Sequence, residues 1–427
     1  MRARVARLVG HRYFVPGCFA VFVGTRLALV LLVPVTTDIS DAGWYMHRAF
    51  TIASGHGYSE GDYPTAYWPV GYPGFLAALF FIFGNHALAG QIANVVLGTG
   101  SLFLVLALAR HLFADERIAR LAIALLTVYP NQAAYAPFLF TETYFTFLLL
   151  LGSYVFLTRK GAWWILSCDL VFGLATLTKP QVVLLPAFLV LLRVTALADA
   201  RARRAAMIAA VGIYAGMASI LTPWAIRNTL TFGEVVLIST NGGATLLTGN
   251  NPSASGDYVE DDALVRKANF SVQDQVAADR RARDLAVEWI RENPYRFVAL
   301  IPQKIWRLWG PDGEGEWWYQ RGFAAYGEYW YVFRAMRVIN QVYYGLVMLG
   351  FLVSLGFIPR LRTRSEWPYS LFPYVLVAYL TVISIVFSGQ SRFHFPAMPW
   401  IMLTVSWLIV RAPALLQSSL LRERRFG

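Results

Sequence analysis

The sequence is poor in charged residues. Of its 427 residues only 15% are charged, whereas 57% are hydrophobic, and the mean hydropathy is +0.48. Soluble domains carry about 25% charged residues, and a soluble fold of this length could not hide so much apolar surface. The scarcity of charge therefore excludes an ordinary soluble globular protein and indicates an integral membrane protein.

Cysteine is also scarce, and several familiar motifs are missing. The two cysteines, Cys18 and Cys168, lie inside apolar runs and predict packing roles rather than a disulfide framework. The sequence contains no glycine loop for phosphate, no dinucleotide fingerprint and no histidine pair at zinc-protease spacing. If the protein is a transferase, its donor should therefore arrive in the membrane rather than as a soluble nucleotide.

The formal net charge is +12, which could suggest a nucleic-acid partner. The basic residues nevertheless fall in short clusters between apolar runs, the pattern of cytoplasmic loops in membrane proteins. We therefore expect no nucleic-acid partner, and all of these clusters should face one side of the membrane. They lie at residues 110–120, 159–160, 201–204, 360–364 and 422–425.

Apolar runs recur along the whole chain. A transmembrane helix needs about 20 apolar residues, and the runs predict an all-α polytopic membrane protein of about ten transmembrane helices. Residues 1–224 should form a seven-span module, with a first outer loop at 36–69 and a re-entrant or interfacial helix at 70–83. We expect one large extracytoplasmic segment at 225–337, then three further membrane helices and a cytoplasmic tail at 338–427.

Within the large outer segment, Pro294 predicts a boundary between two helices. The first helix should stop near Asn293. The second, from Pro294 to about Trp309, is more apolar and aromatic, which favours a place on or in the membrane interface.

Polar residues collect at the outer ends of the predicted spans. A pump or channel tends to carry ionisable groups at mid-membrane depth, whereas these ring one surface. They include Asp38, Asp41, His56, Glu142, Lys179, Arg227, Arg392 and His394.

Asp41 is the sharpest candidate for chemistry. Ser40 can cap a helix that begins at Asp41, and on that helix Asp41, Tyr45 and Arg48 share one face. The alternative is that Asp41 only complements the helix dipole. Asp38 offers the same carboxylate with a different geometry.

Lys179 and Arg392 are candidate anion ligands. Each lies in an outer loop at the membrane edge, where a low dielectric strengthens their attraction for a phosphate. The alternative is that both side chains only reach toward lipid headgroups. His56 and His394 are best interpreted as ordinary lone histidines, and metal dependence stays open.

Two charged residues fall inside predicted spans, Arg26 and Asp169. A charge buried in lipid costs several kcal/mol unless it is paired. We therefore hypothesise that Arg26 and Asp169 pair with each other as a structural feature.

The motifs now assembled resemble those of lipid-linked-sugar glycosyltransferases of the GT-C fold. Their relatives include the dolichyl-phosphate-mannose protein mannosyltransferases and the lipid A aminoarabinose transferase. Each motif is only moderately specific alone, but their shared order and membrane face make the resemblance strong. The motifs are Asp41–Tyr45, Gly55–Tyr58 and Tyr67–Pro73; Leu177–Pro180 with Pro186; Pro223–Asn228, Ser239–Gly243 and Gly249–Pro252; and Ser391–Pro396.

The resemblance implies an inverting sugar transfer from a polyprenyl-phosphate donor on the extracytoplasmic face of the bacterial cytoplasmic (inner) membrane. Asp41 matches the family's catalytic aspartate, and Lys179 and Arg392 match the positions expected to bind the donor phosphate. Glu142 matches an acidic position near the sugar. The acceptor could be a glycolipid, a polysaccharide or a protein, and membrane lipids surround the helices. The matching motifs add further candidate site residues, namely Tyr45, His56, Tyr58, Arg227, Asn250, Asn251 and His394.

Two other functions compete with the enzyme hypothesis. A transporter or flippase for a lipid-linked sugar predicts an inverted repeat and polar groups at mid-membrane depth, and the sequence shows no convincing repeat. A non-catalytic membrane scaffold leaves the cluster of polar residues on the outer face unexplained.

Overall fold

The computed structural model describes residues 9–158, 161–361 and 368–426. The predicted basic clusters at 159–160 and 362–364 lie outside these residues. The side chains at 360 and 422–425 are likewise not described. The described chain is almost entirely helical, as expected for a membrane protein whose backbone groups must bond within each segment.

The described residues of the first half of the chain form nine helices and one short hairpin. The hairpin pairs β1 (Ser59–Glu60) with β2 (Tyr63–Pro64) in the first outer loop. The helices are α1 (Phe14–Leu32), α2 (Ser40–Ala53), α3 (Gly71–Phe83), α4 (Ala87–Phe113), α5 (Glu116–Thr127), α6 (Pro130–Ala134), α7 (Thr141–Thr158), α8 (Ala162–Thr178) and α9 (Leu185–Ala196).

The second half is built from helices of very unequal length. The helices are α10 (Ala200–Phe232), α11 (Gly242–Gly249), α12 (Ala263–Lys267), α13 (Gln275–Glu292), α14 (Pro294–Trp309), α15 (Glu314–Gly322), α16 (Tyr326–Leu355), α17 (Ile358–Leu361), α18 (Phe372–Val386) and α19 (Met398–Phe426). Short 3-10 turns at Pro180–Val182, Tyr369–Leu371 and Ser391–Ala397 precede α9, α18 and α19.

Six helical segments in the described chain are long and apolar enough to cross a membrane. Three shorter apolar helices accompany them, including α3, the helix expected to be re-entrant or interfacial. The protein is therefore a multi-pass membrane protein. The six segments are Phe14–Leu32, Ala87–Phe113, Ala200–Phe232, Tyr326–Leu355, Tyr369–Val386 and Ser391–Ala412.

The apolar run at residues 121–138, inside the predicted seven-span module, is not one continuous helix. α5 ends at Thr127, and Pro130 starts the short helix α6, because proline fits the first turn of a helix but not its interior. The boundary at Pro294 is confirmed, since α13 ends at Glu292 and α14 runs from Pro294 to Trp309.

Helix ends follow the sequence closely at several places. The Asp199 side chain caps α10 by accepting from the Ala202 N–H at 2.7 Å, and Gly233 closes that helix with a φ of 70°. The predicted cap at Ser40 is wrong. Ser40 is already the first residue of α2, with a φ of 47°, and Ile39 is the capping residue.

The proposed pairing of Arg26 with Asp169 is also wrong. Arg26 on α1 donates to the Thr127 carbonyl at 2.9 Å and to Gln132 Oε1 at 2.5 Å. Asp169 on α8 instead lies against Gly216 of α10. Arg26 therefore finds its partners on α5 and α6, and Asp169 packs against α10, an arrangement that sequence spacing alone does not specify.

The main hydrophobic core joins α2, α3 and the long membrane helices. α8 packs against both α7 and α10, whereas α3 packs against α2. In the outer segment, α11 packs against α13, and α14 packs against α18. This arrangement brings the first outer loop, α15 and the turn before α19 to one end of the molecule.

Candidate active site

Two oppositely charged side chains from distant parts of the chain meet at the end of the molecule that carries the first outer loop. Arg392 Nη1 donates to Asp41 Oδ2 at 2.6 Å, and both side chains are about one-fifth exposed, at 18% and 20%. Asp41 lies in the first turn of α2, and Arg392 lies in the 3-10 turn before α19. The pair is therefore accessible to a ligand but shielded from bulk water.

A cavity of about 610 Å³ opens beside this pair. The volume lies within the range of about 300–1,000 Å³ that is typical of small-molecule sites. Its wall is mixed, since aromatic rings alternate with charged side chains. The residues that matter here are Asp41, Tyr67, Trp68, Glu314, Trp318 and Arg392.

A second ion pair lies near the first. Lys179 Nζ donates to Glu142 Oε1 at 3.0 Å, with Glu142 almost fully buried and Lys179 15% exposed. The charge of Glu142 also interacts with that of Arg392, and Lys179 Nζ lies 5.8 Å from the ring centre of Phe393. The two pairs therefore form one cluster of alternating charge.

Lys179 is not among the described residues that line the cavity, whereas Arg392 is. Lys179 takes its place because it caps the C-terminal end of α8 with an extended backbone, directly before Pro180. A cation at a helix C-terminus is also favoured by the helix dipole.

Sequence reasoning missed Glu314. Its Oε1 accepts from Ser391 Oγ at 2.9 Å and from the Arg392 N–H at 3.2 Å, so it holds the turn that carries Arg392. Burial raises the pKa of Glu314 above its ordinary value, although the nearby Arg392 opposes the shift. The only signal in the sequence is that this acid lies in the aromatic stretch Glu314–Gly322.

Tyr45 and Tyr58 make contacts that stabilise the first outer loop. Tyr45 is buried one turn after Asp41, with its ring edge-on to Tyr72 at 5.5 Å. The Tyr58 hydroxyl donates to the Trp68 carbonyl at 2.9 Å. Both residues thus hold cavity-lining segments in place.

Arg227 ties the same loop to α10. It donates to the carbonyls of Thr65 and Tyr58, both at 2.8 Å. Asn250 and Asn251 are buried and cap the end of α11, and Asn250 Oδ1 also accepts from Lys304 Nζ at 2.7 Å. These side chains are structural ties and lie outside the cavity wall.

Three further candidates lie away from the cavity. Asp38 is 65% exposed and faces His47 at 3.1 Å, and His56 is exposed in the turn after α2. His394 is fully buried between the rings of Trp309 and Tyr344, with Nε2 3.3 Å from Asp312. The interpretation of His394 as an ordinary histidine of the core fits this placement.

The carboxylates of the cluster do not form a ligand set for a metal ion. Asp41 is bound to Arg392, Glu142 to Lys179, and Glu314 to the Ser391 hydroxyl. Among the described residues, no group of three or more histidine, cysteine, aspartate or glutamate side chains could hold a metal. The two cysteines are unpaired, as expected.

Comparison with solved structures decides the fold. The chain matches the oligosaccharyltransferase of Archaeoglobus fulgidus with a TM-score of 0.54 for the apo form, at 12% identity over 98% of this chain. It has the GT-C fold. The archaeal oligosaccharyltransferase AglB from Archaeoglobus fulgidus, in complex with an inhibitory peptide and a dolichol-phosphate, matches with a TM-score of 0.52 at 14% identity over 96% of this chain.

Other comparisons complete this picture. Residues 68–226 of the chain match the family model described as dolichyl-phosphate-mannose-protein mannosyltransferase. ArnT from Cupriavidus metallidurans bound to undecaprenyl phosphate matches with a TM-score of 0.44 and 14% identity, over 94% of this chain and 77% of ArnT. No curated protein sequence matches the chain. The chain spans about half (52%) of the archaeal enzymes.

Proposed function

We propose that this GT-C protein is a membrane glycosyltransferase that moves a sugar from a polyprenyl-phosphate donor to a hydroxyl group of an acceptor. The single observation that carries the proposal is the Asp41–Arg392 pair in the wall of the outer cavity. A carboxylate and a guanidinium at one accessible point supply a base and a phosphate ligand, the two groups that this reaction requires.

The comparisons support a lipid-linked donor. Residues 68–226 match a family of mannosyltransferases named for dolichyl-phosphate-mannose, and the structure of AglB contains a dolichol-phosphate. The missing nucleotide motifs agree with a donor that is delivered by the membrane. The identity of the sugar is not part of the proposal.

The reaction proceeds by one displacement at the anomeric carbon. Asp41 takes the proton of the acceptor hydroxyl, the hydroxyl oxygen forms a bond to the anomeric carbon, and the bond from that carbon to the phosphate oxygen breaks. The products are the new glycoside, the polyprenyl phosphate and a protonated Asp41, which then releases its proton to water. Attack opposite to the leaving group inverts the anomeric configuration.

Arg392 links binding to catalysis in this scheme. Its guanidinium neutralises Asp41 at 2.6 Å. A phosphate that binds Arg392 competes with Asp41 for the same N–H groups, and Asp41 is then free to accept a proton. Lys179, the ion-pair partner of Glu142, adds a second positive charge as negative charge develops on the leaving phosphate.

The active face should be the periplasmic side of a bacterial inner membrane. Residues 225–337 would then form the outer segment that faces the acceptor. The seven-span module at 1–224 would carry Asp41 and Lys179, and the helices at 338–427 would supply Arg392.

The test compares Asp41→Asn with Asp38→Asn in vesicles that contain the purified protein. Removal of a general base costs about 10²- to 10⁴-fold in rate, so Asp41→Asn should lower transfer by at least that factor and still bind polyprenyl phosphate. Asp38→Asn is the matched control, because Asp38 faces His47 at 3.1 Å outside the cavity, and it should keep the wild-type rate. Equal rates for Asp41→Asn and wild type would remove Asp41 from the mechanism.

A further inference from the structure

A second, smaller cavity of about 220 Å³ adjoins the first. It lies between the first outer loop and the chain that leads into α13. Tyr67 and Trp68 line both cavities and form the partition between them. The small cavity is therefore a side chamber of the candidate active site.

The walls of this chamber are mainly aromatic. Trp44 and Trp68 meet edge to face with ring centres 6.3 Å apart, and Tyr67 meets Trp68 at 5.4 Å. Phe270, at the end of the chain segment opposite, is 40% exposed. The C–H faces of a pyranose ring pack on such rings in the way that other apolar surfaces do.

Polar groups stand beside the rings. Glu60 Oε2 accepts from Trp44 Nε1 at 3.3 Å, while its side chain remains 41% exposed and can accept from a ligand hydroxyl. Burial raises the pKa of Tyr67 to about 12, so its hydroxyl stays protonated and can donate. Rings with a few acceptors and donors suit a ligand that is apolar on its faces and rich in hydroxyls at its edge.

The chamber does not suit the donor phosphate. Its described lining residues include no lysine or arginine. The arginine that approaches the chamber, Arg48, is already paired with Glu60 at 3.5 Å, whereas Arg392 lines the main cavity. The volume is also below the range of about 300–1,000 Å³ for larger ligands, so the chamber suits a single ring better than an extended peptide.

The helix α2 sets the distance from the chamber to the reacting groups. Asp41 lines the main cavity and Trp44 lines the chamber, three residues further along the same helix. Three residues span about 4.5 Å along a helix axis. Because Asp41 and Trp44 lie within one turn of α2, the chamber and the main cavity meet the same part of that helix.

We propose that the acceptor is a glycan and that its terminal sugar binds in the chamber lined by Trp44, Glu60, Tyr67, Trp68 and Phe270. This inference rests on the proposed function, since it names the acceptor class for the same site. It narrows the choice among glycolipid, polysaccharide and protein to acceptors that present a sugar.

The test measures binding directly, without a transfer assay. Full-length protein in lipid nanodiscs is studied by saturation-transfer NMR with the methyl glycosides of glucose, galactose and mannose as probes. The peptide Ala-Thr-Ala-Thr serves as a hydroxyl-bearing probe that is not a sugar. We expect at least one glycoside to bind wild type, and the peptide to give no signal.

Phe270→Ala should weaken that binding by about three- to tenfold, as expected for the loss of one aromatic contact. Tyr295→Ala is the matched control, because Tyr295 is 91% exposed on α14 and does not line the chamber. Absence of glycoside binding to wild type, or equal binding by Phe270→Ala and Tyr295→Ala, would overturn the proposal.

Asp41→Asn separates this inference from the proposed function. It should abolish transfer and leave glycoside binding within about twofold of wild type, because the rings of the chamber are unchanged. Glycoside binding that depends on Phe270, combined with transfer that does not depend on Asp41, would reject the mechanism and retain the sugar site.

Discussion

Arg392 is held by three partners. Its side chain donates to Asp41 at 2.6 Å and to Gln390 Oε1 at 2.9 Å, and its backbone N–H donates to Glu314 at 3.2 Å. A cation fixed in this way needs little rearrangement when negative charge develops beside it, which is the basis of electrostatic catalysis. Lys179 has a simpler environment, with Glu142 as its anionic partner.

This difference predicts unequal effects for the two cations. Arg392→Ala should weaken binding of undecaprenyl phosphate by about tenfold or more, since hydrogen bonds to charged groups are worth about 1.5–3 kcal/mol. Lys179→Ala should have a smaller effect, because Lys179 is not among the described residues that line the cavity. Affinity is measured by native mass spectrometry of the protein with added lipid.

Arg283→Ala serves as the control for these variants, since Arg283 is more than half exposed and its ion-pair partner is the adjacent Asp284. It should bind the lipid as wild type does. If Arg392→Ala and Lys179→Ala also retain wild-type affinity, both residues only anchor the protein at the membrane interface.

At the scale of elements, α11 supports the turn that carries Arg392. A methyl group on Gly249, at the C-terminal end of α11, would collide with the carbonyl of Phe387. Asn250, the next residue, donates to the Val386 carbonyl at 2.9 Å. The position of the turn before α19 therefore depends on how closely α11 approaches the end of α18.

Gly249→Ala should push these two elements apart. Overpacking of this kind costs about 1–3 kcal/mol, so we expect a lower thermal midpoint in detergent and a reduced transfer rate. Gly242→Ala is the matched control at the other end of α11, where an added methyl group meets open space. Equal midpoints for the two variants would contradict the proposed close contact.

Some elements could be predicted from local sequence, and others could not. Pro294 marks the start of α14 because proline fits a first helical turn, whatever surrounds it. Ser40 suggested a cap by residue type, but the extended backbone of Ile39 starts α2 one residue earlier than expected. The break between α5 and α6 has a local signal as well, since Pro130 starts α6, but the apolar composition of residues 121–138 favoured a single helix.

The same limit applies to the site. Asp41 and Arg392 could be predicted together because both lie at outer helix ends with motif support. Glu314 could not, because its role depends on contacts with Ser391 and Arg392, 77 and 78 residues away in sequence. Arg227 and His394 carry the same motif support as Asp41, yet their partners are backbone carbonyls and core residues.

For the whole molecule, the proposed orientation places the cavity and the basic cluster at 201–204 on opposite sides of the membrane. A cysteine at Ser253, in the outer segment, should react with a membrane-impermeant maleimide added to intact spheroplasts. A cysteine at Arg201 should react only after the membrane is opened. The chain without either substitution gives the background, because Cys168 is buried and Cys18 is half-buried.

The reverse pattern of labelling, or labelling of both positions from the same side, would contradict the proposed orientation. The fold would be unaffected by that outcome, but the sugar transfer would then have to occur on the cytoplasmic face.

The Asp41–Arg392 contact joins residues 351 positions apart, and this separation has a consequence for biosynthesis. A chain is synthesised from its N-terminus and begins to fold during translation. Asp41 therefore emerges long before its counterion, and the pocket is complete only when the turn that carries Arg392 has been made. A half-made chain carries no complete pocket, so the proposed sugar transfer has to wait until synthesis is nearly finished.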